Sequence, residues 1–151
     1  MIHGAFEVEP VPPAGELCGS AGGEAREETG AFAGKPWPEL DAATVETHAA
    51  ALFFFTPEAF HYYLPAFLME PLSGGETGSL AVHNVLFALK ATGEPAVMRF
   101  RRTRWPLLTK KEVAAVEEWL DWLLAHADGA VFAQEVATAS TAFRDRFWWK
   151  S

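Results

Sequence analysis

The sequence predicts an all-α fold, a compact bundle of about five to six helices with an extended N-terminal arm. Three observations lead there. Apolar residues recur at three- and four-residue steps through most of the chain, as in Val82, Val85, Leu86 and Leu89, a spacing that lines them along one side of a helix. Helix starts and stops bracket these runs, with Asp41, Thr56 and Thr109 ahead of them and Gly34, Gly93 and Gly129 behind, where caps and terminating glycines belong. Only residues 96–108 alternate enough to suggest a strand, and one strand without a partner does not make a sheet.

Taken in order, residues 1–19 hold Pro10, Pro12, Pro13 and Gly15. They should form an extended arm, because proline removes N–H donors and fixes the backbone. Residues 20–151 then make a single helical domain. A first helix is expected over 22–32, weakened by Gly30 and stopped by Gly34. Pro36 and Pro38 bracket Trp37 in a stiff turn that presses its indole into the core. Asp41 caps a second helix running to about residue 54, with Val45, His48, Leu52 and Phe55 on one stripe. A third covers 57–72, where Thr56 caps, Pro57 opens the helix and Phe60, Tyr63, Leu64 and Phe67 share one side. Pro65 removes an intrahelical bond there, so a bend or restart is expected. Residues 73–78 read as a glycine-rich loop and 80–91 as a fourth helix. Residues 96–108 are assigned to an ordered loop. Thr109 and Glu112 form a capping box for a fifth helix to 126, with Val113, Val116, Leu120 and Leu123 facing the core. A last helix over 130–149 carries Val136, Phe143 and Phe147.

Phe32, Gly34, Trp37 and Leu40 in FAGKPWPEL, followed by LFFFTPEAFHYYLPAFL from Leu52, resemble a family of small bacterial proteins known only as a domain of unknown function. The resemblance covers residues 32–72 and continues more weakly over 107–124 through the pattern LT-x-x-E-x-x-x-V. It implies no activity, cofactor or catalytic residue. His61 stands where that family often has arginine.

Composition narrows the class. The chain has 151 residues, half of them hydrophobic and 13% aromatic, which suits one domain with a large core and excludes a disordered chain. Its longest uninterrupted apolar run, residues 49–55, is far short of the roughly 20 needed to cross a bilayer. No membrane association is expected, and the first residues do not read as a secretion signal. Cys18 is the single cysteine, so a disulfide framework and a multi-cysteine metal site are ruled out and a reducing, cytoplasmic location is expected. Net charge is −8, and residues 1–60 alone carry ten acids against Arg26 and Lys35. Residues 99–111 hold six bases and no acid. The overall sign argues against general nucleic-acid binding and favours a basic partner.

Chemistry is sparser. Glu58 and His61 lie three apart on one helix with Tyr62 beside them, a set in which a carboxylate orients a general base and a phenol donates to an oxyanion. Glu58 also sits where a helix dipole favours an acid for structural reasons. His48, His61 and His83 are the histidines that a bundle could bring together, but no ligand spacing accompanies them, so neither a metal nor any other cofactor is expected. Arg99, Arg101, Arg102 and Arg104, interleaved with Phe100 and Trp105, form an anion-binding candidate; the alternative is that they neutralise the protein's own acidic half. Two functions fit these features. The first is a non-enzymatic acidic interaction protein, such as an immunity or inhibitor protein that neutralises a bacterial toxin, with Glu24, Glu27, Glu28 and Trp149 as contacts to a basic protein partner. The second is a small enzyme or ligand-binding protein with a pocket beside the 57–72 helix, using Glu58, His61 and Tyr62. The oligomeric state is not encoded in any of these signals.

Overall fold

The computed structural model describes residues 2–20, 22–73, 77–90 and 93–146. Among them are eight α-helices and no strand: α1 Gly23–Gly30, α2 Ala42–Thr47, α3 Ala51–Phe54, α4 Pro57–Leu72, α5 Leu80–Leu89, α6 Pro95–Arg102, α7 Lys110–Ala125 and α8 Ala130–Arg144. Single 3₁₀ turns lie at Ala14–Glu16, Trp37–Glu39 and Trp105–Leu107. The all-α class stands, and two departures raise the expected five to six helices to eight. First, the run over 41–54 divides into α2 and α3. His48 leaves helical geometry (φ −113°, ψ 34°), and tighter bonds, such as Ala51 N–H to the His48 carbonyl at 3.0 Å, carry the chain onward. Second, residues 96–108 are not a loop but α6 and a 3₁₀ turn.

The reason for the second departure lies at the end of α5. The last carbonyls of a helix have no partner within it and need donors from elsewhere. Arg101 Nη2 donates to the Phe87 carbonyl, and the Trp105 indole N–H donates to the Ala88 carbonyl at 2.8 Å. The arginine-rich segment therefore folds back to close α5, a long-range demand that local alternation does not reveal.

Helix α4 is the centre of the bundle. It packs against α2, α5 and the two 3₁₀ turns that begin at Trp37 and Trp105, while α7 and α5 both pack on α8. Burial extends well beyond the Phe60, Tyr63, Leu64 and Phe67 stripe to Ala59, Pro65, Ala66, Leu68, Glu70 and Pro71, as expected of a helix enclosed on several sides. The helix passes through Pro65 and Pro71 without restarting. Thr56 caps it, accepting from the Ala59 N–H at 3.2 Å. Trp37, Trp105 and Trp119 are fully buried, and each indole N–H reaches a backbone carbonyl, those of Glu7, Ala88 and Leu68. The polar atoms of the three largest buried side chains thus have partners.

Tyr63 ties α4 to the loop after α1. Its hydroxyl donates to the Phe32 carbonyl at 2.7 Å, with the Lys35 carbonyl 2.9 Å away. Burial pushes the phenol up to about 12, and Tyr62 adds to the effect. Tyr63→Phe keeps the ring but leaves these carbonyls short of a donor, so it should cost about 1–2 kcal/mol. Chemical denaturation at neutral pH would read this as a lower midpoint with an unchanged slope. An unchanged midpoint would show that water replaces the hydroxyl.

Candidate functional site

The N-terminal arm does not hang free. Ile2, Phe6 and Leu17 are buried, and four hydrogen bonds fasten the backbone between them to the bundle. The Trp37 indole N–H donates to the Glu7 carbonyl at 2.9 Å, and the Tyr62 hydroxyl to the Val8 carbonyl at 2.6 Å. Thr56 donates its hydroxyl to the Glu16 carbonyl at 2.9 Å and its N–H to the Leu17 carbonyl at 2.8 Å. The prolines keep the arm extended between these points, apart from the turn at Ala14–Glu16.

Between arm and bundle lies a cleft of about 690 Å³. The arm lines it with Glu7, Glu9, Glu16 and a rim of Pro10, Pro12 and Pro13. The bundle supplies Thr56, Glu58, His61 and Tyr62 from the start of α4, and Thr109 and Glu112 from the start of α7. Among the described residues that line it are five carboxylates and one imidazole, with no lysine or arginine. Glu7, Glu9, Glu16 and Glu58 are exposed, and Glu112 is buried. Such a concave, single-sign surface concentrates field lines and attracts cations.

Glu58, His61 and Tyr62, neighbours by helical spacing, all line this cleft. His61 Nε2 lies 2.8 Å from Glu112 Oε1, so the carboxylate that orients His61 comes from α7 and not from Glu58. The same Glu112 oxygen accepts the Thr109 N–H at 2.7 Å, while Thr109 Oγ1 accepts from the Glu112 N–H at 3.2 Å. One side chain therefore closes a capping box and holds an imidazole. Burial pushes the Glu112 carboxyl up, but the hydrogen bonds from His61 and Thr109 outweigh it and hold it below the ordinary value. The Tyr62 hydroxyl has given its one hydrogen to Val8 and accepts the Trp37 N–H at 3.2 Å. With its proton given to Val8, Tyr62 ties the arm to α4.

The other histidines do not join this site. His48 Nδ1 pairs with Glu28 at 3.1 Å and His83 Nδ1 with Glu135 at 2.8 Å. Among the described residues no three His, Cys, Asp or Glu side chains come together as a metal site would require. Cys18 lines the cleft and is half-buried, and its thiol donates to the Ser20 carbonyl at 3.0 Å.

Of the proposed partner contacts, Glu24 and Glu27 are exposed on α1, whereas Glu28 is half-buried against His48. Trp149 lies outside the described residues. The four arginines do not form one clamp. Arg101 is fully buried, and Arg104 stacks on the Phe100 ring at 3.9 Å while donating to the Phe55 carbonyl at 2.8 Å. Arg99 is exposed and Arg102 half-buried. None of the four forms an ion pair among the described residues, although the charge of Glu58 reaches Arg104 and favours its charged form against the effect of burial. Arg101 and Arg104 supply donors to backbone carbonyls. The residue that sequence reasoning missed most clearly is Glu112, because its place in a capping box already accounted for it.

An α-helical domain carrying an acidic cleft under its own N-terminal arm is the class these features define. The chain belongs to a family of unknown function, DUF6714, which it matches over residues 19–150. The bundle side of the cleft falls within that stretch, and the arm residues that face it from positions 6–18 fall before it. No curated protein and no solved structure matches the chain. No helix among the described residues is long and apolar enough to cross a membrane.

Proposed function

We propose that the protein is a non-enzymatic binding protein whose acidic cleft receives a basic segment of a partner protein. The observation that carries this reading is the set of five carboxylates around one cleft with no lysine or arginine in its lining. A lysine or arginine side chain entering it meets exposed acids at the rim and the His61–Glu112 pair. Glu24 and Glu27, exposed on α1, add to the field that steers a cationic partner inward. In its most specific form this is an immunity or inhibitor protein that neutralises a bacterial toxin by holding a basic segment of it.

Affinity purification from the native lysate tests it, with the whole chain as bait at about 0.15 M and about 1 M salt. The expected result is a stoichiometric basic protein, retained at the lower salt and lost at the higher. A variant with Glu7, Glu9, Glu16 and Glu58 all changed to glutamine should not retain it. These side chains are exposed, so the variant should keep its fold, which circular dichroism would check. Equal retention by wild type and variant would overturn the reading, as would no retained protein at either salt.

A second reading rests on His61 and Glu112, since a buried carboxylate holding an imidazole at the edge of a cleft is also how a general base is oriented. On that reading a cationic small molecule is turned over in the cleft. His61→Gln should then abolish turnover while leaving its binding intact, whereas a pure binding site would show no turnover even in the wild type.

A further inference from the structure

On the molecule's other charged segment, α6 lays a second concavity against α3 and α5. It measures about 240 Å³, and Phe53, Phe87, Phe100 and Val97 form most of its wall. Arg101 also lines it and is only 1% exposed. One nitrogen of its guanidinium, Nη2, donates to the Phe87 carbonyl. Nε and Nη1 are buried and have no hydrogen-bond partner. Nor does any carboxylate among the described residues compensate the charge, which burial alone makes harder to hold. The end of α5 uses only this one donor of Arg101, and Trp105 supplies another to the neighbouring carbonyl. A neutral donor could have served there at far lower cost than a fully buried cation with two unmet N–H groups.

We infer that this concavity is a binding site for a small carboxylic acid with an apolar body. The carboxylate supplies the missing acceptors and countercharge to Arg101, and the ring or short chain it carries fills the aromatic wall. A phosphate does not fit this chemistry as well, since its second charge and remaining oxygens would be stranded among phenylalanines. Access is over Phe87, whose ring covers the guanidinium at 5.4 Å from its centroid yet is itself 54% exposed. An exposed side chain of this kind changes rotamer rapidly and can uncover the nitrogens beneath it. This site is separate from the acidic cleft, and neither depends on the other.

Benzoate is a suitable probe, with benzamide as its neutral counterpart of nearly the same shape. Titrated into the full-length protein and followed by calorimetry or ligand-observed NMR, benzoate should bind at least about tenfold more tightly than benzamide, the equivalent of one charge-assisted hydrogen bond. Arg101→Met preserves length and apolar volume and should remove that preference, with thermal stability in the absence of ligand unchanged or raised. Ala96→Trp, at an exposed position of the same wall, should block both probes without touching the core. No binding of benzoate at millimolar concentration would overturn the inference. So would equal binding of the two probes to wild type, or benzoate affinity unaltered in a folded Ala96→Trp protein.

Discussion

Trp119→Ala should destabilise the protein by about 3–5 kcal/mol, lowering its melting temperature by at least roughly 6 °C. Trp119 lies on α7, is 0% exposed, and donates its indole N–H to the Leu68 carbonyl at 2.8 Å. Truncation leaves a large cavity against α4 and also removes the indole's hydrogen bond to the Leu68 carbonyl. The cavity is the greater part, because the surrounding helices are fixed by their own packing and relax only partly. Trp119→Phe separates the two contributions: it refills most of the space but cannot donate, so it should recover more than half of the loss. Thermal unfolding followed by far-ultraviolet circular dichroism measures both variants. A Trp119→Ala protein within about 1 kcal/mol of wild type would mean that α7 contributes little to enclosing α4.

Glu112→Ala should be the most damaging single change at the cleft, at about 2–3 kcal/mol. It removes the acceptor for the Thr109 N–H and strips His61 of its partner. His61 is about a third exposed, so its share is reduced by solvent, and the capping bond carries the rest. Glu112→Gln can still close the box, since glutamine serves at that position, and should cost less than half as much. The two variants differ again in acid. The folded carboxyl of Glu112 titrates below its ordinary value, so its stabilising effect is complete above the unfolded carboxylate range of about 4.3 and is lost as pH falls through the lower, folded value. Denaturation midpoints measured from pH 7 to pH 3 should show the gap between wild type and Glu112→Gln narrowing at the acidic end. A gap that stays constant would mean the Glu112 charge has no part in holding the helix start.

Where a helix depends on its own turn, the sequence was a sufficient guide. Asp41, Thr56 and Thr109 all cap as their side chains dictate, accepting N–H groups three residues on, and Trp37 is buried between its prolines. Features set by distant partners were hidden. The start of α5 shows why: Glu46, 34 and 35 positions away, takes the Leu80 and Ala81 N–H groups at 2.9 and 2.8 Å. Arg101 and Trp105 make similar connections to the other end of that helix, which is why residues 95–102 became helical despite an alternating pattern. At the cleft, Glu58, His61 and Tyr62 could be placed together by helical spacing alone. Glu112 is 51 residues from His61, and the arm acids Glu7, Glu9 and Glu16 could be counted as charge but not assigned to a wall.

The order in which the chain is made gives the Trp119–Leu68 contact a further consequence. Helix α4 is complete by residue 72, yet the indole that covers it and bonds to its Leu68 carbonyl is added 47 residues later, counted from Leu72 to Trp119. While the ribosome is still extending the chain, α4 has its apolar surface but not its final cover. The amino-terminal half therefore has no finished core of its own and must wait for α7 and α8. A protein arranged this way folds late and as a whole, and fragments ending before α7 should be substrates for chaperones and proteases, not smaller working versions of the domain.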